Sequence, residues 1–146
     1  GMAGGQAIDL ASVGVALTED QLRQMHRLKT GALLEASVMM GAACGDATPQ
    51  ALHGLKRYGQ ALGLAFQVVD DILDVTADSA TLGKTAGKDA AADKPTYVSL
   101  LGLASAQKLA EQLHAEALTA LEASGLKATA TAALRALASQ VVDRKN

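Results

Sequence analysis

Tryptophan is absent from this sequence, and the other aromatics amount to Phe66, Tyr58 and Tyr97 alone. With aromatics at 2% of the residues and hydrophobics at 49%, a core has to be assembled from Ala, Leu, Val and Met. Ala and Leu are strong helix formers, whereas strands draw on β-branched and aromatic side chains, so the composition selects helices. Only Pro49 and Pro95 are present to interrupt them. The shortage of aromatics also excludes a stacking platform for bases, and a net charge of −2 gives no general attraction for nucleic acid. The single Cys44 cannot close an intrachain disulfide, and no Cys/His pair stands at zinc-ligand spacing, which fits a reducing cytoplasm. No apolar run is long enough to span a bilayer and the N-terminus does not resemble a signal peptide, so a soluble cytoplasmic protein is expected. At 146 residues the chain, 1–146, is sized for one domain or part of one, large enough to bury a single core but not two.

What is present marks the ends of helices. Thr18 followed by Gln21 reads as a capping box, and Leu22, Met25, Leu28, Ala32, Ala36 and Met39 then recur at three- and four-residue steps, which predicts one helix over 18–43. Thr48-Pro49 sets a second start, for a helix running through Leu52, Leu55, Leu62, Phe66 and Val69 to 75. Residues 76–94, with Thr, Asp, Gly and Lys but no period, read as a long loop of the kind that carries function. A further element begins at Pro95 and breaks at Gly102, with Ser105 as the cap of a continuation that Gly125 ends. A last helix over 129–143 places Leu134, Leu137 and Val141 on one face, with Arg144-Lys145 at the negative end of its dipole. The opening residues carry no capping signal, so the chain is expected to begin inside a helix of something larger.

Three aspartates sit within the second of these helices. Asp70 and Asp74 are one turn apart and Asp71 is three residues before Asp74, so the three carboxylates are expected to converge on one edge. A solvated acidic face is one explanation of the pattern. The other is a cation, because the apolar neighbours Phe66, Val68, Val69, Ile72, Leu73 and Val75 put these carboxylates at a boundary between core and cavity. Clustered oxygen ligands there suit Mg²⁺, which keeps several waters and bridges one or two carboxylates to phosphate. Lys84 and Lys88 follow in the loop, Lys94 closes it, and Lys29 stands beside Thr30 on the earlier helix, so cations are available on the far side of a phosphate. The stretch "LGKTAGK" ends like a phosphate-binding P-loop, but Asp78 stands where that motif needs Gly and a helix precedes it where the motif needs a strand.

The blocks "GGQAIDL" (4–10), "HRLKTG" (26–31), "GLAFQVVDDILD" (63–74), "TLGKTAGKD" (81–89) and "DKPTY" (93–97) together resemble the C-terminal half of bacterial short-chain trans-isoprenyl diphosphate synthases, of the geranyl or farnesyl diphosphate synthase kind. The likeness runs in register over nearly the whole chain. It implies an all-α helical bundle, the C-terminal part of the isoprenoid synthase fold, and condensation of isopentenyl diphosphate with an allylic diphosphate such as dimethylallyl or geranyl diphosphate. It implies Mg²⁺ held by Asp70, Asp71 and Asp74, with Asp70 as a direct ligand and Asp89 on metal-bound water. Lys29, Lys84 and Lys94 would bind diphosphate, and Thr30 and Gln67 would lie beside the developing cation.

The resemblance also implies partners. Relatives carry a first aspartate-rich motif, an arginine pair and the residues that hold isopentenyl diphosphate upstream, none of which is found in these 146 residues. A missing N-terminal half is therefore expected, with a homodimer at full length. The alternative is a noncatalytic helical accessory subunit that docks through apolar faces. The retained acidic motif, Lys29 and Lys84 favour the catalytic reading, and "DDILD" departs from the pattern that terpene cyclases carry at this place.

Overall fold

The computed structural model describes residues 1–76 and 94–144, so nearly all of the predicted loop, with Lys84, Lys88 and Asp89, lies outside the described residues. Among the described residues the elements are helical, with no strand. In order they are α1 (Met2–Ala11), α2 (Glu19–His26), α3 (Ala32–Ala43), α4 (Pro49–Thr76), α5 (Tyr97–Leu101), α6 (Leu103–Ala123) and α7 (Ala128–Asp143). None of these helices is long and apolar enough to cross a membrane.

Local chemistry sets most of the boundaries. Thr18 Oγ1 accepts from the Gln21 N–H at 3.3 Å while Gln21 Oε1 accepts from the Thr18 N–H at 2.9 Å, which completes the capping box that opens α2. Thr48 Oγ1 accepts from the Ala51 N–H at 3.2 Å and starts α4. A second capping box pairs Thr96 with Ser99, both bonds 3.0 Å long, and begins α5 two residues beyond Pro95. The predicted break falls at Gly102, whose φ of +81° turns the chain directly into α6. That turn makes a side-chain cap unnecessary. Ser105, expected to supply one, lies inside the first turn of α6 instead.

The helix predicted over 18–43 is not one α-helix. Arg27–Gly31 forms a π-helical turn between α2 and α3, and the wider turn shifts the phase of everything after it. Leu22 and Met25 are buried as their spacing required, but Ala36 is exposed and no residue of α3 is fully buried. The apolar period was legible; the slip in register was not.

α4 is the axis of the bundle, packed against α6, α3, the π turn and α7. Its glycines allow this. A Cβ on Gly54 would lie 2.7 Å from the Ala120 carbonyl oxygen of α6, one on Gly59 3.0 Å from Glu35 Cα of α3, and one on Gly63 2.7 Å from Gly31 Cα. α6 answers with buried Ala106, Ala110, Ala117 and Ala120. Density in a core poor in aromatics thus comes from close backbone approach. Tyr58 and Tyr97 are the largest of the fully buried side chains, and the Tyr58 hydroxyl donates to the Leu134 carbonyl at 2.8 Å, fixing α7 to α4. Thr131, Ala138 and Val141 form the buried stripe of α7, and Leu137, expected on that face, is left 43% exposed at its margin.

Gly54→Ala is expected to destabilise the chain by about 1–3 kcal/mol, because the new methyl group meets backbone and not a movable side chain end. Gly41→Ala in α3, with nothing within 4 Å of the new carbon, should instead stabilise it by roughly 0.5–1 kcal/mol. Urea unfolding of the two variants beside the wild type checks both signs.

Candidate functional site

The π turn brings the first group of polar side chains together. Gly5 of α1 packs so closely on the turn that a Cβ there would fall 2.5 Å from Lys29 Cα, and one helical turn further along α1 stands Asp9. Asp9 is buried, and its Oδ2 pairs with Lys29 Nζ at 3.0 Å and with Lys94 Nζ at 3.6 Å. Two of the lysines expected to bind diphosphate, 65 positions apart in sequence, therefore meet on one carboxylate. Thr30 follows Lys29 in the same turn and is partly buried.

A second group lies between the π turn, α4 and α5. Gln67 is buried, and its Oε1 lies 2.9 Å from His26 Nδ1. With that oxygen as acceptor, Nδ1 carries the proton and Nε2 remains a bare acceptor with no hydrogen-bond partner. The imidazole stacks on the Tyr97 ring with centroids 5.7 Å apart, and Nε2 stands 4.0 Å from Asp71 Oδ2. Burial lowers the His26 pKa to about 4, the Gln67 hydrogen bond opposes this, and the positive charge of Lys29 adds to the lowering. Asp9 and Asp70 act on the same imidazole in the opposite direction, so the Asp9–Lys29 pair and the acidic helix both lie within electrostatic reach of His26.

The three aspartates do not converge as their spacing suggested. Asp71 is buried and accepts from the Tyr97 N–H at 2.7 Å, which ties the start of α5 to α4. Asp70 has a side chain 59% exposed, and its Oδ1 accepts from Arg144 at 3.1 Å. Asp74 is partly buried near the end of α4. The reason is angular: adjacent residues on a helix point about 100° apart, so Asp71 takes the core side when Asp70 takes the outer side. Among the described residues no three His, Cys, Asp or Glu side chains form a ready metal cluster. The donor set nonetheless suits Mg²⁺, which takes one or two carboxylates and completes its shell with water and phosphate oxygens, and the Asp70 carboxylate already faces a cationic group.

Residues 1–134 match the family model described as polyprenyl synthetase. The chain belongs to the polyprenyl synthetase family. It is 53% identical over 132 residues to the "Probable farnesyl diphosphate synthase" of Sinorhizobium fredii, covering 88% of this chain and 40% of that protein. It is 47% identical over 145 residues to the farnesyl diphosphate synthase of Escherichia coli, covering 99% of this chain and 48% of that one. Among solved structures it is similar to the geranyltransferase of Helicobacter pylori complexed with magnesium and isoprenyl diphosphate, at a TM-score of 0.77 and 36% identity over 98% of this chain and 46% of that one. The chain thus spans less than half the length of these relatives, on their C-terminal side, and the all-α fold is that of the polyprenyl synthetases.

Two residues of this candidate site were not singled out from the sequence. Asp9 could have been suspected as an acid in an otherwise apolar helix, four residues after a glycine. His26 precedes Lys29 by one π-distorted turn, and nothing in its spacing discloses burial.

A neutral His26 has a consequence for stability. Its folded-state pKa of about 4 lies below the unfolded value of 6.5, so the unfolded chain binds the proton more readily. The contribution is fully present above pH 6.5 and is lost as the pH falls toward 4, amounting to a few kcal/mol at most. Denaturant titrations between pH 4 and 7 should show wild-type stability rising with pH more steeply than that of His26→Gln, and parallel profiles would refute the assignment.

Proposed function

We propose that the chain supplies the allylic-diphosphate side of a Mg²⁺-dependent trans-prenyltransferase that condenses isopentenyl diphosphate with dimethylallyl or geranyl diphosphate. The observation that carries this reading is the meeting of Lys29 and Lys94 on buried Asp9. A diphosphate needs several fixed cations, and a buried carboxylate holds two flexible lysine stems side by side before the substrate arrives. Lys84, from the segment outside the described residues, joins them in this reading.

Asp70 and Asp74 would hold the metal in this reading, with Asp89 on its water. Bound Mg²⁺ supplies the charge that lets carboxylates and diphosphate share a site and that stabilises the diphosphate as it leaves. Asp71, expected among the ligands, serves here as a positioning group: through the Tyr97 N–H it holds α5, and Lys94 lies three residues before Tyr97. Thr30 and Gln67 lie beside the allylic carbon as positive charge develops, and His26 fixes the Gln67 amide there. The parent protein acts in the cytoplasm as a homodimer in this reading, with the other substrate groups contributed by an N-terminal half.

A second reading has one observation in its favour. Met2, Leu10, Leu33 and Met40 are exposed on α1 and α3, as a noncatalytic helical subunit that docks onto a partner would present them. The same faces serve equally to receive the N-terminal half of a catalytic chain.

Taken alone, the 146-residue chain should give no radiolabelled prenyl product above a blank with Mg²⁺, isopentenyl diphosphate and dimethylallyl diphosphate. A chimera that joins the N-terminal half of the Escherichia coli enzyme to this chain should be active, and Asp70→Asn in it should lower turnover roughly a hundredfold to a thousandfold, the loss of one preorganised electrostatic stabiliser. Folded chimeras with equal turnover would remove Asp70 from the mechanism. A folded but inactive parent chimera would favour the accessory reading.

A further inference from the structure

α7 ends at Asp143, and the next residue leaves the helix with φ −61° and ψ 144°. From there Arg144 reaches across to α4. Its Nη2 donates to the Phe66 carbonyl at 3.1 Å and to Asp70 Oδ1 at 3.1 Å, and the guanidinium carbon stands 4.1 Å from the centroid of the Phe66 ring. The arginine side chain is 18% exposed, its Nε is buried with no hydrogen-bond partner, and the aspartate it meets is 59% exposed. The sequence suggested a different role, in which Arg144 would complement the dipole of its own helix. Instead it neutralises a carboxylate on another one.

An arginine in this setting has more than one anchor. The Phe66 ring and carbonyl hold the guanidinium whether or not Asp70 is engaged, so the aspartate can be released without the arginine leaving α4. The Asp70 oxygen that the guanidinium faces is an oxygen a metal ion would take. A cation bound there would stand within a few ångströms of the guanidinium, and like charges that close in a partly buried setting repel, so each weakens the other's hold on the carboxylate.

We infer that Arg144 is a tethered counter-cation of Asp70 that competes with a divalent cation for the carboxylate, so that cation occupancy at Asp70 and attachment of the end of α7 oppose each other. This rests on the reading that Asp70 belongs to a cation site. By linkage the effect is reciprocal: removing the arginine tightens cation binding, and binding of the cation loosens Arg144 from the carboxylate. A purely structural staple would behave otherwise. Its removal would lower stability and leave cation affinity unchanged.

The test uses the intact 146-residue chain with Mn²⁺ as a spin probe, its free concentration followed by electron paramagnetic resonance with and without inorganic diphosphate. Arg144→Gln should bind Mn²⁺ about three- to tenfold more tightly than wild type, and Arg144→Lys, which keeps the charge, should stay within about twofold of it. Asp70→Asn should abolish the site in either background. Equal or weaker binding by Arg144→Gln overturns the inference; if Asp70→Asn still abolishes binding, the metal role of Asp70 survives that failure. Binding that ignores Asp70→Asn, or no binding by any of the proteins, removes both. Should Arg144→Gln prove unfolded by circular dichroism, the wild type decides: the Arg144 Nε–H resonance should move on titration with Mg²⁺, and an unmoved resonance refutes the competition.

Discussion

The π turn over residues 27–31 is gripped from two sides by backbone. Gly5 of α1 lies against Lys29 on one side, and Gly63 of α4 lies against Gly31 on the other, at separations that leave no room for a Cβ. Two of the site's buried contacts depend on this clamp. It sets Lys29 beside Asp9, because Asp9 is the residue one turn along from Gly5, and it sets His26 beside Gln67, because Gln67 is the residue one turn along from Gly63. A bulkier residue at Gly5 would push α1 off the turn and break the Asp9–Lys29 contact, and one at Gly63 would push α4 off it and break the His26–Gln67 contact.

The clamp also explains why polar groups can be buried in a bundle of alanines and leucines. Asp9 is buried against two ammonium groups, and Asp71 accepts a backbone N–H, so neither carboxylate is buried without a compensating partner. His26 meets the same requirement differently, by remaining neutral. The groups most costly to bury are therefore held where three elements meet, and they orient one another: Asp71 fixes α5, α5 carries Tyr97 onto His26, and His26 fixes Gln67. Arg144 closes the outer side of the same acidic helix.

How far the sequence could be followed differs from element to element. The capping boxes at Thr18, the start at Thr48 and the break at Gly102 were legible because each is a contact between residues two to four apart. The burial of Leu22, Met25, Leu55 and Leu62 followed from period alone. The phase shift after residue 27 did not, since a π turn looks like a helix in any scale of propensity. Leu137 was misplaced for a related reason: two overlapping apolar stripes on α7 satisfy the same spacing, and only the partner helix selects Thr131, Ala138 and Val141 over it.

For the candidate site the division is sharper. Residue type and order along the chain determined an all-α fold, membership of the polyprenyl synthetases, and which lysines and aspartates to watch, because motif blocks are strings and helix signals are local. Tertiary structure alone decided that Asp70 and Asp71 part company, that Asp9 joins Lys29 to Lys94, and that Arg144 answers Asp70 from 74 residues away. Those outcomes turn on which face of a helix is covered and by what. A charge finds its partner through packing between distant segments, and no spacing within one segment encodes it.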